Sequence, residues 1–402
     1  MDVACLPLCP ASSKGAAREG AARVSARVLG ANVGELDRQL GKQAKPESAL
    51  YRTIRSQPEA VRAVIEGTGE EVAAAGEVLL TARRVFLVGT GTSSHAAAVG
   101  ERLLGTAGLD ARAITNFDFV NYGPEVDSED AVVAISHRGG KRYGELALRR
   151  ALEAGARVVA ITRRDSPMDG PEVKIPTVEN EASATHTASY TSALAALALL
   201  AVRAGEQRGA EVGTLRAAVM NIPGSLASVV TREEEVRPVA EELAQRGRLT
   251  IVGAGPNAFT AKEGALKVKE SSYLVAEGFE LETALHGGLQ AVEEKDVAAV
   301  IAAEGPSLKR TSDLVGALRI IGVRTFVVAD ERVTSRLLVQ EAARDGATVF
   351  AYPAVPEILS PVLAVVPLQL LAAFTAHLRD TDADSFRTDD PVYKRAVESY
   401  EL

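Results

Sequence analysis

Short apolar runs alternate along the chain with longer stretches of helical spacing, and the same order occurs twice. Val85-Phe-Leu-Val-Gly-Thr-Gly-Thr-Ser-Ser-His-Ala-Ala97 returns as Leu249-Thr-Ile-Val-Gly-Ala-Gly-Pro-Asn-Ala-Phe-Thr-Ala261. Asp130-Ala-Val-Val-Ala-Ile135 is answered by Asp296-Val-Ala-Ala-Val-Ile301. Gly155-Ala-Arg-Val-Val-Ala-Ile161 is answered by Gly322-Val-Arg-Thr-Phe-Val-Val328. Three strands recurring in order imply a duplicated α/β unit with parallel sheets and right-handed crossovers.

In the first unit the pattern predicts strands at 85–88, 111–114, 131–135 and 158–161, with helices over 93–107, 143–153 and 193–204. The second unit repeats the plan from Thr250, with helices over 260–275, 308–321, 335–345 and 361–378. A lead-in helix or pair of helices over 48–71 is interrupted at Pro58. Linking helices over 205–246 are broken at Pro223-Gly224. The expected organisation is an extension over 1–45, lead-in helices over 46–80, a first unit over 81–230, and a second unit over 231–402 ending in a polar, surface-wrapping tail.

The chain has 402 residues, enough for two ordinary domains. Residues 1–45 are rich in Ala, Arg, Gly and Ser and read as a poorly ordered extension without an apolar segment long enough for a secretory signal. A formal net charge of −8 argues against nucleic acid as a bulk electrostatic partner. No apolar run approaches the roughly 18 residues of a membrane span, so no membrane association and a cytoplasmic location are expected. Both cysteines, Cys5 and Cys9, lie in the N-terminal extension, which excludes a disulfide framework in the core. Histidines are scattered and no acidic cluster has ligand spacing, so neither a metal nor another cofactor is expected.

Candidate chemistry sits where strands end, because ligands of open parallel sheets lie at the strand carboxyl ends. Gly89-Thr-Gly91-Thr92-Ser93-Ser94 offers backbone N–H groups and hydroxyls at a helix start, which suit a phosphate. Ser136-His137-Arg138-Gly139-Gly140-Lys141 follows the next strand and adds two cations; the alternative is a solvated turn with incidental charge. Gly89-x-Gly91 is no dinucleotide fingerprint, since Ser94 stands where a third glycine would. From Ser183 to Ser192 nearly every side chain carries a hydroxyl or an imidazole, His186 and Thr187 among them, and this run reads either as polar site or as helix cap. Glu263, Lys267 and Glu270 share one helical face. They form either a solvated ion-pair ladder or, in a cleft, a proton shuttle. His286 lies in a flexible turn, while His95 and His377 have no supporting context and read as structural.

Together these residues resemble the double sugar-isomerase (SIS) family of phosphosugar isomerases, in particular the isomerase half of glucosamine-6-phosphate synthases. The resemblance covers about 50–402. It is carried by Glu263-Gly-Ala-Leu-Lys-Val-Lys-Glu-Ser-Ser-Tyr273, Ala276-Glu277, Leu285-His286-Gly287, Val366–Ala372 and Thr381-Asp382. It implies two tandem three-layer αβα sandwiches, each with a mainly five-stranded parallel sheet. It also implies Glu270 as the base between C1 and C2, His286 as the ring-opening group reaching in from the neighbouring subunit of a homodimer, and Lys267 and Glu263 as assistants at the hydroxyls. Gly91, Thr92, Ser93, Ser136, His137, Arg138, Gly139 and Lys141 fall at phosphate-binding positions, and His186 and Thr187 in a sugar-contacting loop.

The departures bear on the ligand. The family's phosphate turn commonly reads Ser-Gln-Ser-Gly-Glu-Thr, and its sugar loop Ser-Thr-Lys where this chain has His186-Thr187-Ala188. Direct alignment from Thr381-Asp382 puts Pro391 in place of the family's C-terminal lysine, with Lys394 the nearest lysine. The chain has no room for a glutaminase domain, so glutamine-dependent amination within it is not expected. The expected activity is aldose–ketose isomerisation, or isomerisation with loss or gain of ammonia, on a phosphorylated sugar; the alternative is a non-catalytic sugar-phosphate sensor.

Overall fold

In the computed structural model the described residues are 45–400 without 180, 337–339, 341–342 and 345. The predicted extension, and most of the helix predicted at 335–345, therefore lie outside them. Each half holds a five-stranded, all-parallel sheet. The first comprises β1 (Arg84–Gly89), β2 (Ala111–Thr115), β3 (Asp130–Ile135), β4 (Arg157–Thr162) and β5 (Val173–Pro176), in the order β2-β1-β3-β4-β5. The second comprises β6 (Arg248–Gly253), β7 (Val275–Glu280), β8 (Val297–Ala302), β9 (Arg324–Asp330) and β10 (Thr348–Tyr352), in the order β10-β9-β8-β6-β7. Read from the other edge, the second order is the first with every strand replaced by its echo. The three echoed strands form the middle of each sheet, where β3 and β8 are buried at every position, as strands covered by helices on both faces must be.

The helices of the first half are α1 (Ala49–Arg55), α2 (Gln57–Gly67), α3 (Gly69–Leu80), α4 (Thr92–Thr106), α5 (Asn116–Asn121), α6 (Arg142–Glu153), α7 (Ala188–Gln207) and α8 (Gly213–Val230). Those of the second are α9 (Arg237–Arg246), α10 (Asn257–Ser272), α11 (Leu281–Leu285), α12 (Leu308–Ile321), α13 (Pro361–Arg379) and α14 (Pro391–Glu398). Pro58 sits in the first turn of α2, where its missing N–H costs nothing, so the lead-in region breaks at Ser56.

Pro223 behaves otherwise. The predicted break does not occur, and α8 runs through it. Leu215, Val219, Ile222, Pro223 and Leu226 form one buried face on α8. That face packs on α2 and α13, and its burial outweighs the lost hydrogen bond. The helix predicted at 260–275 also ends early: Tyr273 takes the left-handed conformation, and β7 follows.

α7 and α13 are long and apolar enough to cross a membrane by composition, yet 89% of each apolar window is buried inside the protein. They are the core helices of their halves. Gln57 on α2 joins them: its amide donates to Gln369 on α13 at 2.8 Å and accepts from the Thr191 hydroxyl on α7 at 2.9 Å, all three buried.

Candidate active site

The first half contributes two turns. After β1, Gly91 adopts φ 57° and ψ −126°, a conformation open to glycine, and turns the chain into α4 so that Thr92 and Ser93 start the helix. After β3, the backbone N–H of Gly139 donates to the Ser136 hydroxyl at 3.2 Å. Gly139 has φ 76°, and any side chain there would collide with Ser166 and Met168. Its role is to shape the turn that presents Ser136, His137, Arg138 and Lys141.

The second half contributes one helix. α10 lies between α13, β7 and α4, so the face bearing Glu263 and Lys267 is not a solvated ladder: both side chains are buried. The Lys267 ammonium donates to Glu270 at 2.6 Å and to the Thr92 hydroxyl at 3.0 Å, and stands 3.4 Å from Glu263. Thr92 donates to Glu263 at 3.0 Å, and Nδ1 of His95 lies 2.7 Å from the other Glu263 oxygen. One ammonium thus serves two carboxylates, and α4 of the first half supplies the remaining partners.

These elements enclose a cavity of about 410 Å³, the size of a small-molecule site. Gly91, Thr92 and Ser93 line it from the first turn, Ser136, His137, Arg138 and Lys141 from the second, and Lys267 and Glu270 from α10. His186 completes it and packs edge-on against His137, ring centroids 5.2 Å apart. Asn116, Phe117, Tyr143 and Phe386 also line it. A separate pocket of about 20 Å³, room for one water-sized molecule, lies against His137, Thr177 and Tyr190. His137 Nδ1, the Thr177 hydroxyl and the Tyr190 hydroxyl are buried there without a protein partner.

Burial governs the electrostatics. It pushes the Glu270 carboxyl above its usual range, against the pull of Lys267. It works the same way on Glu263, but there Lys267, His95 and Thr92 prevail and hold the carboxyl below its usual value. Burial opposes the charge on Lys267, and Glu263 and Glu270 outweigh it, so the ammonium is retained. His137 and His186 are both pulled down by burial, His186 to about 4, so both are neutral at pH 7.

The remaining predicted residues stand apart from this cavity. Thr187 is buried, and its hydroxyl donates to Glu181 at 3.1 Å. Glu181 also accepts the backbone N–H groups of Thr187, Ala188 and Ser189, so a carboxylate caps α7 rather than the Ser/Thr run. His286 is exposed and 3.3 Å from Glu282, and Lys394 is exposed on α14; neither lines the cavity. His95, which reads as structural in the sequence, instead holds a carboxylate of the charged helix; the signal is missing locally because its partner Glu263 is distant in sequence. Among the described residues no cluster of three or more His, Cys, Asp or Glu could hold a metal ion.

Two tandem αβα units that share a cavity between their strand ends and α10 define a double SIS architecture. The SIS domain model matches residues 78–203 and 242–376, and the chain belongs to that family. Glutamine–fructose-6-phosphate aminotransferase of Symbiobacterium thermophilum is 28% identical over 364 residues, spanning 84% of this chain and 57% of that protein. The Thermus thermophilus enzyme of the same name is 32% identical over 315 residues, spanning 76% of this chain and 51% of its own length. The chain thus spans little more than half the length of these curated relatives. The C-terminal domain of glucosamine-fructose-6-phosphate aminotransferase from Francisella tularensis superposes with a TM-score of 0.78 at 21% identity, covering 84% of this chain and 98% of that one. Glucosamine-6-phosphate deaminase from Thermotoga maritima has a TM-score of 0.65 at 18% identity, covering 84% and 97%. Both structures share the fold.

Proposed function

We propose that the protein is a phosphosugar aldose–ketose isomerase or aminosugar-phosphate isomerase that moves a proton between C1 and C2. One observation carries this reading. A half-buried carboxylate of raised proton affinity, Glu270, shares a cavity with an anion-suited turn at 136–141 and is held 2.6 Å from an ammonium.

In this mechanism the phosphate is gripped by Ser93, Ser136, Arg138 and Lys141 at the helix start and turn. Binding energy from that remote group orients the reacting carbons against Glu270. Glu270 takes the proton from one carbon and returns it to the other through a cis-enediol, or an enolamine where nitrogen is present. A raised proton affinity suits a group that must hold the proton in the intermediate. Lys267 stays charged and steadies the developing oxyanion, while Glu263, pinned by Thr92 and His95, keeps Lys267 in place. Neutral His186 and His137 face the sugar hydroxyls. His286, exposed in one chain, is assigned to the ring opening in a partner subunit of a homodimer. Lys394 is assigned to the open-chain carbonyl.

Glu270→Gln is expected to lower kcat by at least about a thousandfold while sugar-phosphate binding, followed by calorimetry, stays within a few fold. Normal turnover by this variant refutes the role. Glu270 must be ionised to accept the proton. Because its carboxyl is shifted upward, the acid limb of kcat/KM is expected above the roughly 4.3 of an unperturbed glutamate. Solvent deuterium exchange at C2 of a bound hexose 6-phosphate separates an isomerase from a sugar-phosphate sensor, which shows none.

A further inference from the structure

The pocket of about 20 Å³ beside the main cavity gathers polar atoms from three separate elements. His137 comes from the turn after β3, Thr177 directly follows β5, and Tyr190 stands in the first turn of α7. Thr177 is 8% exposed and Tyr190 1%. Both hydroxyls, and Nδ1 of His137, are buried without a protein partner. Buried polar atoms are rarely left unmet, and a buried water typically makes about three hydrogen bonds to such groups. The pocket holds one molecule of that size and offers it three partners.

The hydrogens follow from the partners. Burial keeps the Tyr190 phenol protonated, so it donates. Thr177 carries a hydroxyl donor of the same kind. Two hydroxyls donating to the two lone pairs of one water leave that water's own hydrogens to donate, and Nδ1 of His137 is the acceptor that remains. An imidazole commonly carries its proton on Nδ1 when that atom faces a backbone carbonyl or a carboxylate. Nδ1 of His137 faces neither within hydrogen-bond distance. In the neutral ring the single proton then sits on Nε2. His186 is arranged in a similar way: its Nδ1 has the Ser189 hydroxyl at 3.3 Å, and Ser189 also borders the pocket. Both rings line the main cavity.

We propose that Tyr190 and Thr177 are positioning residues that act through one bound water to hold His137 in its Nε2-protonated tautomer, which makes the ring a hydrogen-bond donor to an oxygen of the sugar phosphate bound in the function proposed above. The turn of related proteins commonly has glutamine at this place, and its amide offers a ligand both a donor and an acceptor. An imidazole offers one of each on opposite sides of the ring, so its tautomer decides which of them the ligand meets. With Nε2 protonated, the ring favours a ligand oxygen that accepts and disfavours a group that can only donate.

The tautomer is read directly on the full chain, labelled with nitrogen-15 histidine, by long-range proton–nitrogen correlation spectra at pH 7 without any ligand. His137 is assigned by its loss in His137→Gln. A single tautomer protonated at Nε2 is expected, and Tyr190→Phe, which removes only the hydroxyl, is expected to leave a mixture of the two. Protonation at Nδ1 in the unaltered protein, or an unchanged single tautomer in Tyr190→Phe, overturns the proposal. Calorimetric binding of glucosamine 6-phosphate supplies the second reading. Tyr190→Phe is expected to weaken binding by about threefold to tenfold. In a His137→Gln background the same change is expected to cost less than about twofold. Equal losses in both backgrounds mean that Tyr190 acts by packing alone and overturn its positioning role. Thr177→Val gives both readings if Tyr190→Phe fails to fold. Failure of the unaltered protein to bind the sugar phosphate sinks the proposed function, whereas the tautomer is read without a ligand and fails independently.

Discussion

The two halves share one plan, strand for strand, and divide the work between them. Each has a Gly-x-Gly turn after its first strand, yet only the first turn opens into a site. In the second half the equivalent ground is filled. In the turn after β8, the counterpart of 136–141, the Glu357 carboxylate lies where a side chain at Gly305 would have to go, within 3.4 Å of the Ser307 hydroxyl; after the Gly-x-Gly turn itself, Asn257 donates to Ser360 at 2.8 Å. The helices that follow the two turns differ in the opposite sense. Aligned through the repeat, Glu263 and Lys267 of α10 correspond to Val99 and Leu103 of α4, both buried and apolar. One copy kept the anion-suited turns and an apolar helix; the other closed its turn and acquired the charged helix. A duplicated fold thus yields one composite cavity, because α4 and α10 pack together and bring an anchor and a base into it from different copies.

The largest expected effect comes from breaking the contact on which this division rests. Lys267→Met leaves Glu263 buried with only His95 and Thr92 beside it. Removing one partner of a buried ion pair costs about 3–5 kcal/mol, and chemical denaturation of the variant is expected to show a loss of that order. Combining it with Glu263→Gln is expected to recover much of the stability without recovering turnover. A double variant no more stable than the single one would mean that the buried charge is not what destabilises it.

Next in size is the contrast between the two turns. Arg138→Ala removes a cation from the open turn, and a charge-assisted contact to a phosphate is worth about 1.5–3 kcal/mol. KM is expected to rise about tenfold or more, with kcat changed little. Glu357→Ala, which removes the carboxylate filling the turn after β8 in the other half, is expected to leave KM within a factor of two. A comparable rise in both variants, measured by steady-state kinetics on the same sugar phosphate, would show that the second half also takes part in binding.

The repeat made the architecture legible. The echoes beginning at 85, 130 and 155 became the centres of two sheets, and the sheet orders match strand for strand. The edge strands β5 and β7 escaped because Val-Lys-Ile-Pro and Val-Ala-Glu-Gly-Phe-Glu break the apolar run that betrays a central strand, and β10 has no counterpart among the three echoes. Pro223 read as a break, since the sequence does not say that a flanking helix will cover it. Within the site, the turns at 91–93 and 136–141 and the charged face of α10 could be read locally. His95 could not, since its meaning comes wholly from Glu263, on a helix of the other copy. Glu181 was hidden for a related reason: it caps α7 across a loop from six residues away, beyond the reach of the usual capping patterns.

The smallest effect concerns the paired imidazoles, and it tests how dry the first half's side of the composite cavity is. His186 is neutral in the folded protein with its pKa depressed to about 4, against about 6.5 in an unfolded chain. Between those two values the unfolded chain binds the proton and the folded one does not. Folding stability is therefore intact above about pH 6.5 and falls as the pH drops toward 4. His137, also depressed by burial, adds in the same direction. The loss from His186 between pH 7 and 5 is on the order of 2 kcal/mol. Urea titrations at pH 7 and pH 5 measure it. His186→Asn removes one titrating ring, so its stability is expected to fall less between those pH values than that of the unaltered protein. An equal fall in both would mean that His186 is protonated in the folded state, with the cavity wet enough to solvate the charge. Nothing in the closed turn of the second half carries an imidazole to report on its own hydration, so the measurement reads the open half alone.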